Sequence, residues 1–441
     1  MLVGGLTRVL VVGGGAAGVI TAAHLLERVA ATPGAEPVSV TIVERAGTVG
    51  PGLAYSTDEP MHLLNNYAGR MSALEHDPRH FVRWCRADGQ DVDHDSFVSR
   101  QDYGRYLTSL LDGIEVPDGS QLSVMHDEVR EIRDTGRGYL VLTARDVTLA
   151  ADVVVLALGN PPPRKPRGLA VDEDRFVENP WDPARLDRVP ESGEVLLVGT
   201  GLTTVDVAAH VAAARPGVRL TAVSRHGLLP LHHLPEAPGP AREYAGHARD
   251  LRGVLAEARR CVEVGADWRG LVESVKAAAN DLWGDLSPDD RELFVRHVAR
   301  YWEVARHRMA PPMATIVDDL LDDGRLAITT SPSVDAASYD LVVNCTGPAP
   351  VSSTGWNPLV DHLAVAGMLW PGPFGLGVDV DRDGALVDAD GVAARALYAV
   401  GAARRGCEWE VAAVPDIRRQ AKRLAELLRP TYVEPPVTLV G

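Results

Sequence analysis

Short apolar runs recur along the chain, broken by glycine and followed by apolar positions at helical spacing, a pattern that predicts strands joined by helices. The first run, Val9–Val12, breaks into Gly13, Gly15 and Gly18, after which Ala16, Ile20, Ala23, Leu25 and Leu26 share one helical face. A second run, VSVTIVE, ends at Glu44. The same order returns at Glu194: EVLLVGTGLTTVDVAAHVAAA predicts strand, glycine turn and helix, and VRLTAVSRHG predicts the strand after it. Continuous apolar runs suit strands buried on both faces, so parallel sheets are expected. Residues 121–153 alternate apolar and polar instead, as in an antiparallel meander. Helices are also expected over Pro78–Arg86, within SFVSRQDYGRYLTSLL, and near the end in IRRQAKRLAELL. Residues 238–323 combine helical spacing with many charges, which predicts an α-helical insertion. The proline-rich stretch from Pro161 to Pro190 predicts a hinge.

The glycine spacing carries chemistry because it is a demand on the backbone. In a GxGxxG turn the first glycine makes the tight exit from the strand, the second admits a pyrophosphate, and the third lets helix pack on strand. The helix then points unpaired amides and its positive dipole end at the phosphates. Glu44 stands 26 residues beyond Gly18, where a carboxylate accepts hydrogen bonds from ribose hydroxyls; the loop ATPGAEP absorbs the spacing beyond the usual ~20. The second fingerprint keeps Gly199 and Gly201 but has Thr204 in the third place, so its helix is expected to sit farther from its strand. The strand that follows ends in Ser224 and Arg225 rather than an acid. A carboxylate would repel a 2'-phosphate, whereas a guanidinium grips one through paired charge-assisted bonds. The first site therefore suits FAD and the second NADPH. A third glycine, Gly159, ends the apolar run VVVLALG and joins the cofactor set.

The expected class is α/β, with two Rossmann-like (three-layer ββα) dinucleotide-binding domains. Residues 1–190 and 349–441 are the two parts of an FAD domain, and the NADPH domain, residues 191–348, is inserted between them. Composition narrows the function further. The net charge is 44 − 60 = −16, which disfavours nucleic acid or an anionic membrane as partner. No apolar run reaches ~18 residues, and the first, interrupted by Arg8, reads as a strand rather than a leader. A cytoplasmic enzyme is expected. The four cysteines, Cys85, Cys261, Cys345 and Cys407, form no CxxC pair, which argues against local dithiol chemistry. His232, His233 and His307 lack the spacing of a tetrahedral site, so no metal is expected.

Several segments together, GPGLAYST, LLNNYAGRMSA, SRQDYGRY, LALGNPPP, VGTGLTTVD, SRHGLLP, RHRMAPP, NCTGP and WEVAAVPDIRRQA, resemble the bacterial FAD/NAD(P)-binding protein family. That family is similar in layout to class B flavin monooxygenases and to N-hydroxylating monooxygenases of amino acids and polyamines. The resemblance implies that Gly13, Gly15, Gly18 and Glu44 hold the FAD diphosphate and ribose, and that the Val129 backbone meets the adenine. It places Tyr55, Ser56, Asn65 and Asn66 near the flavin, with Gly401, Glu410, Val411 and Ala412 bringing a helix amino terminus toward the ring. Gly199, Gly201, Thr203 and Arg225 hold NADPH. The chain departs from the better-known monooxygenases at Asp206, often Glu, and at Ala402, often aspartate in flavin reductases.

The function this implies is monooxygenation, with N-hydroxylation of a small amine or amino acid through a flavin 4a-hydroperoxide. Its small-molecule partners are the amine and O2, and self-association is left open. The alternatives are an NADPH-dependent flavin reductase or dehydrogenase without substrate oxygenation, and a redox-sensing binding protein. Asn66 is the candidate donor to the oxygen adduct. Arg308 is the candidate for a substrate carboxylate, with Arg404 and Arg405 as alternatives; Trp302 and Trp409 are weighed against plain packing roles, and His307, as a general base, against capping helix carbonyls or standing exposed.

Overall fold

Strands from both ends of the chain meet in one sheet of the computed structural model, which describes residues 6–182, 186–330 and 334–428. The chain starts with β1 (Thr7–Val12), α1 (Ala16–Ala30) and β2 (Val38–Glu44), then α2 (His80–Ala87), α3 (Arg100–Asp112) and β3 (Gln121–His126). β4 (Val129–Asp134), β5 (Tyr139–Thr143) and β6 (Thr148–Ala151) form a small antiparallel sheet before β7 (Val153–Leu156). A second unit holds β8 (Phe176–Val177), β9 (Ser192–Val198), α4 (Leu202–Ala214) and β10 (Gly217–Val223). Helices α5 (Leu251–Glu263), α6 (Trp268–Ala277), α7 (Ala279–Asp285), α8 (Pro288–Leu293), α9 (Ala299–Arg306) and α10 (Pro311–Asp322) follow. β11 (Leu326–Thr329) and β12 (Leu341–Asn344) complete that unit. Then come α11 (Pro358–Val365), β13 (Ala385–Val387), β14 (Ala393–Ala399) and α12 (Val414–Leu427).

The first sheet has the order β13-β14-β7-β1-β2-β3 and the second β11-β10-β9-β12-β8. Because β14 pairs with β7, everything from β8 to β12 is an insertion between two neighbouring strands of the first sheet. The central strands are buried as their apolar runs demand: Val11, Val40, Ile42 and Val155 are fully enclosed, with Ile20 and Leu26 of α1 and Ala421 of α12 packed on them. Among the described residues, no helix is long and apolar enough to cross a membrane.

The structure refines four expectations. Residues 121–126 are not part of the meander; β3 pairs in parallel with β2 as the edge of the main sheet, and its mostly exposed side chains gave it a polar pattern. The predicted hinge contains β8, a two-residue strand paired with β12 and too short to leave a periodicity. The predicted helical block serves two purposes. α10, at its end, packs Met313, Ala314 and Val317 into the second core with α4, so it is the crossover helix between β10 and β11, and only the helices before it are an insertion proper. The helix expected over Pro78–Arg86 runs over His80–Ala87. Residues 429–441 of the last expected segment lie outside the described residues.

Candidate functional site

Both glycine turns open toward one cavity of about 1410 Å³, larger than the ~300–1,000 Å³ of ordinary small-molecule sites. The first turn is built on contact between backbones. Gly13 has φ +105°, and a Cβ built there would strike the Ala157 carbonyl at the end of β7. A Cβ built on Gly18 would fall onto the Gly13 carbonyl oxygen, so only glycine lets α1 lie on its turn. α1 is capped by Gly15 without a side-chain bond and has no acid in its first turn, so its end stays electropositive toward the cavity. The second turn repeats the geometry with one change. Thr204, in the third place, is buried, and its hydroxyl donates to the Gly199 carbonyl at 2.8 Å, a contact that uses the room an added side chain needs.

Of the predicted residues, Gly13, Gly15, Glu44, Tyr55, Ser56, Asn65, Val129, Gly159, Thr203 and Gly401 line this cavity. The Glu44 carboxylate accepts from the amides of Gly14 at 2.6 Å and Ala46 at 2.7 Å, which fixes it at the end of β2 with lone pairs still free. Tyr55 packs edge-on to Tyr103 at 4.7 Å, and burial pushes its hydroxyl up to about 12, so it remains a neutral donor. The Gly401 amide donates to Gln420 Oε1 at 2.8 Å. Gly18 and Gly199 sit behind the wall as packing elements, Gly201 caps α4 with open space where a Cβ would stand, and Arg225 is exposed just past β10.

Other predicted residues are placed elsewhere. Asn66 is buried beside the cavity-lining Asn65, and its Oδ1 accepts from the Tyr67 amide at 3.1 Å. Arg308 does not line the cavity; it is 1% exposed and paired with Glu273, itself bonded by Arg70 and Lys276 at 2.6 Å each. Glu410 is spent on structure as well, accepting from Trp302 Nε1 at 2.9 Å and pairing with Arg306 at 3.1 Å, while Val411 is fully buried. Arg404 pairs with Glu408, and Arg405 with Glu303 at 2.5 Å. His307 also binds Glu303, at 3.0 Å. Trp409 packs in an aromatic group with Trp283 and Phe294. Asp206 forms an ion pair with Arg100 at 2.8 Å, tying α4 to α3 across the two units.

Sequence reasoning missed His233. Its Nε2 lies 3.1 Å from the Asn65 carbonyl, so the ring donates there and braces the cavity wall from behind. Burial, reinforced by the Arg308 charge, holds the ring down at about 3, which keeps it neutral and fixes that tautomer at every working pH. It also missed Arg300, whose Nη2 donates to the Leu228 carbonyl at 2.6 Å and the Thr200 hydroxyl at 3.1 Å. Neither sits in a local motif, because Arg300 meets partners 72 and 100 positions away and His233 one 168 positions away. Among the described residues, no three His, Cys, Asp or Glu side chains cluster as metal ligands.

A protein-family model described as FAD-NAD(P)-binding matches residues 10–161. Comparison with curated proteins finds no match to the sequence. Among solved structures, the ornithine N-hydroxylase of Kutzneria sp. 744, with reduced FAD, NADP+ and L-ornithine, gives a TM-score of 0.62 at 16% identity, covering 96% of this chain and 99% of that one. The FAD-bound cadaverine monooxygenase of desferrioxamine biosynthesis from Erwinia amylovora gives 0.62 at 12% identity over 95% and 94%. L-lysine 6-monooxygenase from Pseudomonas syringae gives 0.58 at 16% over 96% and 98%. Residues 10–161 are thus an FAD-NAD(P)-binding domain, and the chain as a whole shares the fold of the two-domain FAD- and NADPH-binding flavoenzymes.

Proposed function

We propose that the protein is an FAD- and NADPH-dependent monooxygenase that N-hydroxylates a small amine or amino acid. The observation that carries this reading is the single cavity that receives the amino-terminal ends of α1 and α4 together, so that two dinucleotides bound there face one space. The residues fit the cofactor: the Gly13–Gly18 turn is a cradle that a Cβ would fill, and Glu44 stands at the ribose position. FAD, when bound, supplies the chemistry, taking up hydride from NADPH and activating oxygen. The balance is one amine, one O2, one NADPH and one proton giving one hydroxylamine, one water and NADP+.

The chain's own groups bind, orient and exclude water. The α1 turn holds the FAD pyrophosphate, Thr203 and the first amides of α4 hold that of NADPH, and Arg225 takes the 2'-phosphate. Asn65, braced by His233, forms the wall toward the reacting ring. The Asn66 orientation, with Oδ1 occupied by Tyr67, leaves Nδ2 as the donating end. Arg308 lies one layer back, beside His233, as a positioning residue. The partly apolar lining disfavours an ammonium ion, which supports the neutral amine that N-oxidation requires. Thiol chemistry has no support: the cysteines are free, and burial pushes Cys85, Cys345 and Cys407 up to about 12.

The test is a coupling measurement on purified flavoprotein with NADPH, oxygen and a panel of ornithine, lysine and cadaverine. Hydroxylamine formed nearly one-for-one with NADPH oxidised, for at least one amine, is the expected result. Peroxide matching NADPH with every amine would instead establish the reductase. Arg225→Ala is expected to weaken NADPH binding roughly 10- to 100-fold more than NADH binding, the worth of charge-assisted bonds to one phosphate. Equal losses for the two nucleotides would remove the 2'-phosphate assignment.

A further inference from the structure

α9 bonds both to the residues around the end of β10 and to the loop that runs from Gly401 to Ala412. At its start, Arg300 Nη2 donates to the Leu228 carbonyl and to Thr200 Oγ1, and Thr200 Oγ1 lies 2.8 Å from Ser224 Oγ at the end of β10. Arg225 is the next residue. Two guanidinium groups are thereby held at one strand end: burial disfavours the charge on Arg300, Glu303 one turn along α9 supports it, and Arg225 opposes it. Cations gathered in this way are favoured when an anion joins them. One turn further along the helix, Glu303 accepts from Arg405 at 2.5 Å, and Arg306 pairs with Glu410 at 3.1 Å. Trp302 donates to the same Glu410 at 2.9 Å. The segment they grip, residues 405–410, belongs to a loop whose ends, Gly401, Ala402 and Ala412, line the cavity beside the α1 turn.

We infer that Arg300, delivered by the helical insertion, is the second half of the 2'-phosphate clamp, and that Glu303 is a positioning residue through which the phosphorylated nucleotide is felt by the 401–412 loop. This rests on the FAD and NADPH reading above. A 2'-phosphate draws Arg300 toward Arg225, α9 responds as a rigid element, and the Glu303–Arg405 pair carries the displacement to the loop at the flavin. The insertion is then a sensor of which nicotinamide nucleotide is bound. NAD+, lacking the phosphate, fills the same turn without engaging α9.

The experiment titrates NADP+ and NAD+ separately into purified, FAD-loaded full-length protein, reading dissociation constants by calorimetry and the flavin by its visible difference spectrum. Wild type is expected to prefer NADP+ and to show a flavin perturbation with NADP+ larger than with NAD+. Arg300→Ala should lose roughly 10- to 100-fold in NADP+ affinity while NAD+ affinity stays within about threefold. Arg300→Lys, keeping the charge but not the fork, should recover part of the loss. Glu303→Gln should keep the NADP+ preference but lose the NADP+-specific flavin perturbation, and Arg405→Gln, cutting the same link from the other side, should match it. Retained NAD+ binding by each variant shows that it is folded. Equal losses for both nucleotides in Arg300→Ala would reduce Arg300 to a structural anchor, and an unchanged perturbation in both relay variants would sink the coupling. A wild type that binds no flavin or shows no NADP+ preference overturns the underlying cofactor reading instead.

Discussion

Protein carrying Gly15→Val is expected to purify folded but colourless, whereas Gly18→Ala is expected to lose stability before anything else. The two glycines sit three residues apart in one turn, yet they face different neighbours. Gly15 has ordinary extended geometry, φ −74° and ψ −168°, and a Cβ there would lie 3.3 Å from the Gly52 Cα, tight but open to small adjustment. The rest of a valine side chain projects at the cavity face, where a pyrophosphate must reach the α1 amides within hydrogen-bond distance. Holding it off by the width of an isopropyl group removes those bonds, so bound flavin should fall to near zero. Gly18 faces inward, and its added methyl group would overlap the Gly13 carbonyl oxygen. Two backbones would have to part, at a cost of about 1–3 kcal/mol or more. The measurements are visible absorbance per protein absorbance and the urea unfolding midpoint. A yellow Gly15→Val protein would contradict the cradle, and a Gly18→Ala protein with an unchanged midpoint would show that α1 does not rest on its turn.

That contrast also explains why the dinucleotide turns were legible in the sequence while much of the rest was not. A GxGxxG turn is a local demand: close approach of strand, turn and helix is met only by missing side chains, and the pattern is complete within six residues. Glu44 is legible for a related reason, as the end of an apolar run of fixed length. β8 is illegible because two residues carry no period, and its partner β12 lies far along the chain. The buried charges are harder still. Arg306 meets Glu410 across 104 positions, and Trp302 meets the same carboxylate across 108. Composition alone reads each as a surface residue. Arg308 shows how this misleads. Its flanking sequence, RHRMAPP, points to a helix end with exposed cations, but α6 brings Glu273 over it and encloses it fully.

Glu273→Gln is expected to cost about 3–5 kcal/mol of stability, the usual penalty for leaving buried charge without its counterion. Arg70, Lys276 and Arg308 all bond to this one carboxylate, which is 8% exposed. Burial works to raise its carboxyl, but Lys276, Arg70 and Arg308 outweigh it and hold it at about 2. A carboxylate whose folded value lies below its unfolded 4.5 contributes stability that is present above pH 4.5 and lost as pH falls toward 2. Lys276 gives a slope of the same sign in another window: burial first, and Arg306 second, lower it from 10.5 to about 8. Between pH 8 and 10.5 the unfolded chain binds that proton and the folded chain does not, so this residue adds stability as pH rises. With Glu273 neutralised, Lys276 loses the partner that held its proton, and its deprotonation should begin lower still. The variant should therefore gain stability between pH 7 and 9 more steeply than wild type, while losing the acid-side decline that wild type shows below pH 4.5. Urea titrations at a series of pH values decide the matter. A Glu273→Gln protein that matches wild type at pH 7, or that weakens as pH rises to 9, would mean that the three cations find other partners or water and that the carboxylate does not organise them.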